Sequence, residues 1–182
     1  MKGMKIVIII VAAVLVLAVA GCGMILKNSG DAPVEVGGLK TVRYSPGYGD
    51  SNGGHHSTVL KRNDAGDWII ECTERVDFES PEIVTTYAVS AEDEQEFEAF
   101  IKERNVLALK DRKESDDFVT DYSPWGYSFN YDNSALGGGS YELYSFGEYQ
   151  VYSNKDYELI KELKERLEGL KGEKISEVEE QY

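Results

Sequence analysis

Asp67-Trp68-Ile69-Ile70-Glu71-Cys72-Thr73-Glu74-Arg75-Val76 is the stretch of this chain that decides its fold. Apolar residues there alternate with polar neighbours, in the order Trp68, Ile70, Cys72 and Val76. This period of two is typical of a strand with one buried face and one wet face. Cys72 is therefore predicted to lie on the core side of a sheet.

Further strands are predicted on both sides of this segment. After a turn at Ser80-Pro81, apolar residues keep the same period, which predicts an antiparallel hairpin. Before it, residues 39–62 predict two strands around a glycine-rich loop, and residues 63–67 predict a turn because Asn and Asp bond their own backbone. Residues 118–152 predict more strands.

Two helices are predicted between and after the strands. Ser90 is a good N-cap, with acidic residues in the turn that follows, and an apolar stripe continues through Phe97, Phe100 and Ile101. A second helix is predicted from Asn154, with apolar residues three and four apart at Ile160, Leu163, Leu167 and Leu170.

The order strands, helix, strands, helix predicts an α+β fold. We expect a single antiparallel twisted sheet with both helices packed on one face, preceded by an N-terminal membrane segment. The other face would stay open to water or to a partner. The predicted domain covers residues 39–172, after a flexible tether at 22–38 and before a frayed acidic tail at 173–182.

The N-terminus has the pattern of an export signal. Lys2 and Lys5 precede an unbroken apolar run from Ile6 to Ala20, and the run ends in Val19-Ala20-Gly21-Cys22. These last four residues resemble the lipobox of bacterial lipoproteins, in which a peptidase cuts before a cysteine that carries diacylglycerol. The resemblance implies that residues 1–21 are a signal peptide and that Cys22 is the lipidation site.

An uncleaved membrane anchor is the alternative for the same segment. The chain stays apolar from Ile6 to Leu26, which is 21 residues. At about 1.5 Å per residue, this length crosses a hydrocarbon core of about 30 Å. Either possibility places the rest of the chain outside the cytoplasm, because Lys2 and Lys5 favour an N-terminus that stays inside.

Charge limits the partners of the exported part. The whole chain has a formal charge of −14, and removing residues 1–21 takes away two lysines and no acid, which leaves −16. A surface this acidic is repelled by phosphates, so nucleic acid is not expected as a partner. The expected partners are the membrane, through the lipid or the helix, and a cell-envelope protein or glycan.

A row of aromatic residues is the predicted binding surface. Every second position of one segment is aromatic, at Trp125, Tyr127, Phe129 and Tyr131. In an extended chain, the four rings project from one face, where they could stack on a sugar or a partner side chain. The alternative is that this face is the core, since aromatic residues also favour strands for packing.

Signs of a metal site or an enzyme are weak in this sequence. His55 and His56, with Asp50, are weak metal candidates, because adjacent residues of a strand point to opposite faces. The acidic residues Asp111, Glu114, Asp116 and Asp117 lack the pattern of a calcium loop and leave only weak surface binding of calcium open. Ser57 follows His56 directly and cannot pair with it, and no other nucleophile and base stand out. No cofactor, no metal and no catalytic residue are therefore predicted.

The layout as a whole resembles small uncharacterised lipoproteins of Gram-positive bacteria. The resemblance rests on the lipobox, on Gly53-Gly54-His55-His56 and on the turn, strand and helix at 64–67, 127–132 and 157–163. It implies no activity. We expect a membrane-tethered, non-enzymatic binding domain; the alternatives are a cell-wall or peptide hydrolase and a single-pass membrane protein with an outward-facing domain.

Overall fold

The computed structural model describes residues 33–46, 54–112, 125–137, 141–147 and 152–180. These residues form one seven-stranded antiparallel sheet with two α-helices and two short 3₁₀ helices, which confirms the predicted α+β class. The N-terminal segment and Cys22 lie outside the described residues. Within the described ranges, no helix is long and apolar enough to cross a membrane.

The sheet combines strands that are distant in sequence. The strands are β1 Gly38–Ser45, β2 His55–Arg62, β3 Trp68–Arg75, β4 Glu82–Ala88, β5 Gly126–Asp132, β6 Tyr141–Gly147 and β7 Lys174–Glu180. Their order in the sheet is β6-β5-β1-β2-β3-β4-β7, and every neighbouring pair is antiparallel. The helices are α1 Ala91–Glu103 and α2 Asn154–Gly169, with 3₁₀ turns η1 Val106–Asp111 and η2 Ser134–Leu136.

One face of the sheet belongs to the hydrophobic core. Val42 lies opposite Leu60 on β2 and opposite Phe129 on β5, and Leu60 lies opposite Ile70 on β3. All four side chains are completely buried. They share one cluster with the buried residues of α1 and α2. We call this face of the sheet the covered face and the opposite one the open face. Cys72 is buried in the same cluster, as predicted.

Both helices begin where the sequence predicted. The Ser90 hydroxyl accepts a hydrogen bond from the Asp93 amide at 3.0 Å, and the Ser153 hydroxyl accepts one from the Asp156 amide at 3.3 Å. Each serine satisfies a backbone donor that the first helical turn leaves unpaired. The Asp156 carboxylate also accepts a hydrogen bond from Arg112 at 3.0 Å, which connects α2 to the end of η1.

The predicted tether is shorter than expected. The Val34 amide donates to the Asn105 side chain at 3.4 Å, and the Gly37 amide donates to the Asn133 side chain at 3.0 Å. Val34 and Val36 pack against the core. A Cβ on Gly37 would lie 1.6 Å from the carbonyl oxygen of Asp132, so this position requires glycine. The prediction of a flexible tether at 22–38 is therefore wrong for residues 33–38.

The predicted acidic tail is wrong as well, because residues 174–180 form the edge strand β7. Six of its residues pair with β4, and all seven side chains are exposed. A register shift lies between Thr86 and Tyr87, where Tyr87 is opposite Lys174 and Thr86 is opposite Ser176. Ile175 is thus an extra residue, which breaks the period of two. Within the described residues, the folded domain therefore extends from Pro33 through β7.

Candidate functional site

The aromatic row is part of the core. Tyr127, Phe129 and Tyr131 project from the covered face, as the period of two predicted, and each is at most 2% exposed. Trp125 is partly buried, with its ring 6.3 Å from that of Tyr127 and 6.5 Å from that of Tyr152. The prediction that this row is a binding surface is therefore wrong, because its rings are used for packing.

Ring contacts explain the density of aromatic residues here. The Tyr127 ring stacks on Tyr44 at 4.6 Å, on Phe146 at 5.4 Å and on Phe129 at 6.3 Å between centroids. Contacts of this kind add to the free energy gained from burial alone. Burial raises the pKa of the Tyr127 hydroxyl well above its ordinary value, so the side chain stays neutral.

The two histidines do not converge on one ion. His55 Nε2 lies 3.1 Å from Glu82 Oε2, whereas His56 Nδ1 lies 3.1 Å from Glu74 Oε1. The two rings belong to opposite faces of β2, since the histidines are adjacent in the strand. Asp50 lies outside the described residues. Among the residues with described positions, no group of three or more His, Cys, Asp or Glu side chains could hold a metal ion.

A groove of about 690 Å³ runs across the open face of the sheet. Its floor carries a row of hydroxyl side chains, because Ser57 on β2 lies opposite Thr73 on β3 and Ser45 is the neighbouring residue on β1. Arg43 lines the β1 side of the groove, and Glu82 and Glu180 line the side formed by β4 and β7. We call this feature the open-face groove.

Ser57 is the most buried residue of the groove, with 8% of its surface exposed. Its hydroxyl makes no hydrogen bond to any other residue in the described part of the chain. The hydroxyl is not one of the fully buried polar atoms without a partner, so water reaches it. Within the described residues, the floor of the groove therefore offers a donor and an acceptor that a ligand can use in place of water.

The start of β2 fixes one end of the groove. Gly54 is buried, and a Cβ at this position would lie 2.6 Å from the carbonyl oxygen of Val76. Only glycine permits this close approach of β2 to the end of β3. The approach places His55 beside Arg75, its partner in the β2–β3 register.

Carboxylates in the middle of the groove have partners on the same face. The His55 ring contacts the Glu82 carboxylate, whose side chain is only 14% exposed, and Lys61 Nζ lies 2.9 Å from Glu71 Oε2. The two ends differ from the middle. Neither the Arg43 guanidinium nor the Glu180 carboxylate forms an ion pair with another residue among those that the structure describes.

The groove does not assemble a nucleophile with its base. Ser57 and His55 are two apart in β2 and share the open face, yet no hydrogen bond joins their side chains in the described structure. Hydrolysis by serine needs a nucleophile and base within hydrogen-bond reach. The arrangement is suited to holding a polar ligand by hydrogen bonds and charge.

Sequence reasoning missed the groove, although it predicted an open face. Arg43, Ser57, Thr73 and Glu82 occupy the wet positions of their strands, where polar residues are ordinary. The signal that was present is the run of small hydroxyl residues at these positions. This run indicates a common surface only once the strand order is known, because that order places β1, β2 and β3 side by side.

Comparisons of this chain with protein-family models, with curated proteins and with solved structures find no match. Any function of the groove must therefore be argued from its own residues.

Proposed function

We propose that this protein is a lipoprotein tethered to the outer side of the cell membrane, and that its domain binds a ligand in the open-face groove without catalysing a reaction. Localisation is supported by the sequence Val19-Ala20-Gly21-Cys22 after the apolar run. If the segment is not cleaved, the 21 apolar residues from Ile6 to Leu26 hold the same domain as a single-pass anchor.

The open-face groove is the observation that carries the binding role. Much of the covered face belongs to the core, whereas the open face holds a groove with a hydroxyl floor and, at its two ends, charges that form no ion pair within the described residues. Binding sites are typically concave, with a few polar groups that orient the ligand. A stable fold does not require Arg43 in this arrangement, since exposed polar positions tolerate most residues.

The anchoring part of the proposal is tested by Cys22→Ala in a bacterial host. If Cys22 carries lipid, the parent protein loses residues 1–21 and gains the mass of its acyl chains, and the variant does neither. An unchanged mature mass would support the uncleaved anchor. Protease added to intact spheroplasts should digest the domain in both cases, and protection from the protease would overturn the outward orientation.

The binding part is tested by site-specific photo-cross-linking in intact cells. A photoreactive phenylalanine analogue at Thr73 lies in the groove, and the same analogue at Lys161 lies on the exposed side of α2 and serves as the control. We expect a discrete adduct from position 73 and none from position 161. Equal labelling from both positions, or none from position 73, would contradict a binding role for the groove.

A further inference from the structure

We propose that the ligand of the open-face groove is a short extended peptide with free termini, whose carboxylate lies at Arg43 and whose ammonium lies at Glu180. This inference rests on the proposed binding function and specifies its ligand. Three observations support it: the separation of two charges that have no ion-pair partner among the described residues, the span of the groove and the hydroxyl floor.

Opposite charges stand at opposite ends of the groove. Arg43 belongs to β1 and Glu180 to β7, and the strands between them are β2, β3 and β4. Carboxylates in the middle already have partners, as Glu82 with the His55 ring and Glu71 with Lys61. A ligand that gains from both unpaired ends must carry an anion at one end and a cation at the other.

Two carboxylates of the protein lie side by side where the ammonium group of the proposed ligand would bind. Glu82 and Glu180 are directly opposite in the pairing of β4 with β7. Like charges at such positions repel each other, and a bound ammonium at Glu180 would reduce this repulsion. Arg75 also lines this part of the groove, on the β3 side of Glu82, so the ammonium is expected at Glu180 on the far side. Glu82 is partly satisfied by His55, so Glu180 is the carboxylate left for the ligand.

The distance between the ends sets the length of the ligand. Neighbouring strands lie about 4.8 Å apart, so the four steps from β1 to β7 span about 19 Å. The register places Arg43 level with Ser176, and Glu180 lies four residues further along β7, which adds about 13 Å along the strands and makes the backbone separation about 23 Å. An extended chain covers about 3.3 Å per residue, and the long Arg and Glu side chains shorten the gap that it must bridge. A peptide of about five residues has the required length.

The floor of the groove matches a peptide backbone. Ser45, Ser57 and Thr73 form a row of hydroxyl groups across three strands, perpendicular to the strand direction. A hydroxyl can donate to a carbonyl and accept from an amide. Such contacts bind peptide backbone irrespective of side chains, so the expected specificity is for free termini and length.

The test is calorimetric titration of the full-length protein in detergent micelles with three probes at low ionic strength. These are penta-alanine with free termini, its N-acetyl form and its C-terminal amide. We expect penta-alanine to bind and each cap to weaken the binding about tenfold, which corresponds to about 1.4 kcal/mol. In Arg43→Ala the amide cap should have no further effect, whereas the acetyl cap should still weaken binding.

In Glu180→Gln the pattern should reverse, with acetylation losing its effect and amidation keeping it. Lys161→Ala and Glu165→Gln change the same charges on the exposed side of α2 and should leave all three affinities unchanged. If acetylation and amidation weaken the binding equally in every variant, the proposed orientation of the peptide is wrong. Failure of penta-alanine to bind, together with a groove-specific adduct in cells, would overturn the peptide class while the binding function stands.

Discussion

The two faces of the sheet use the same strands for different purposes. On the covered face of β5, Tyr127, Phe129 and Tyr131 are buried against neighbouring rings, whereas Ser128 and Asn130 between them face the other way. The covered face accounts for the hydrophobic cluster, and the open face holds the groove. The difference shows that the segment rich in aromatic residues belongs to the core of this domain. The candidate site consists of polar residues of the kind that is common on any exposed strand.

The largest expected effect comes from a pair of alanine substitutions in β5, one on each face of the sheet. Phe129 is completely buried, with ring centroids 5.9 Å from Phe146 and 6.3 Å from Tyr127. We expect Phe129→Ala to lower the free energy of unfolding by about 3–5 kcal/mol in urea denaturation. Ser128→Ala on the open face should change it by less than about 0.5 kcal/mol. Equal costs for the two variants would mean that the open face is also core.

A second pair of variants tests whether the segment before β1 is part of the domain. Gly37→Ala would place a Cβ 1.6 Å from the Asp132 carbonyl oxygen, whereas Gly38→Ala meets no atom within 4 Å. We expect a loss of about 1–3 kcal/mol for the first, as for other overpacked sites, and little change for the second. Thermal unfolding measures both. If neither variant loses stability, residues 33–37 do not pack as described.

The helix that covers the sheet should be weakened by removing its N-cap. Ser153→Ala deletes the acceptor of the Asp156 amide and a hydroxyl that donates to the Asp156 carboxylate at 2.8 Å. The expected cost is about 1 kcal/mol, typical of a lost serine cap. Ser153→Asp keeps an acceptor at this position and is the matched control, although it places a second acid beside Asp156. A thermal midpoint of Ser153→Ala equal to that of the parent would contradict the cap.

The smallest expected effect is a pH dependence at Glu94, a buried acid of α1. Burial, and secondarily the nearby Glu98, raise its pKa above the ordinary value. A raised pKa means that the folded state holds the proton more tightly than the unfolded state, so stability is lost as pH rises through the ordinary glutamate range. Glu94→Gln should remove this loss, with a gain of a few tenths of a kcal/mol at pH 7 and none near pH 3.

Urea denaturation of the parent and Glu94→Gln at both pH values measures the difference. The exposed Glu96→Gln on the same helix is the control. A gain that is the same at pH 3 and pH 7 would show that ionisation of Glu94 is not its cause.

Much of the fold was predictable because local patterns and the final structure agree. The alternation of Trp68, Ile70 and Cys72 in β3, the cap at Ser90 and the stripe of α2 each depend on neighbouring residues, and the structure confirms all three. Val76 was predicted to continue the buried face, but it follows the end of β3 and is 79% exposed. Pairing across long separations was not visible in this way. β7 was missed because Ile175 interrupts its period and its side chains are exposed, so only backbone hydrogen bonds to β4 define the strand.

The same reasoning explains the error about the site. Trp125, Tyr127, Phe129 and Tyr131 were correctly placed on one face, but the sequence alone could not decide which face the helices cover. The groove depends on the adjacency of β1, β2, β3, β4 and β7, which join segments far apart in the chain. Hydroxyl residues such as Ser57 gain significance only when neighbouring strands bring them into one row.

The position of β7 has a consequence for how the protein is made. Its Glu177 meets Thr85 across 92 residues of sequence, so the outer edge of β4 acquires its neighbour only when the last part of the chain is available. Because synthesis proceeds from the N-terminus, β4 has a bare strand edge until residues 174–180 have been made. Such an edge is a template for wrong pairing with other chains, so truncation before Lys174 should promote aggregation.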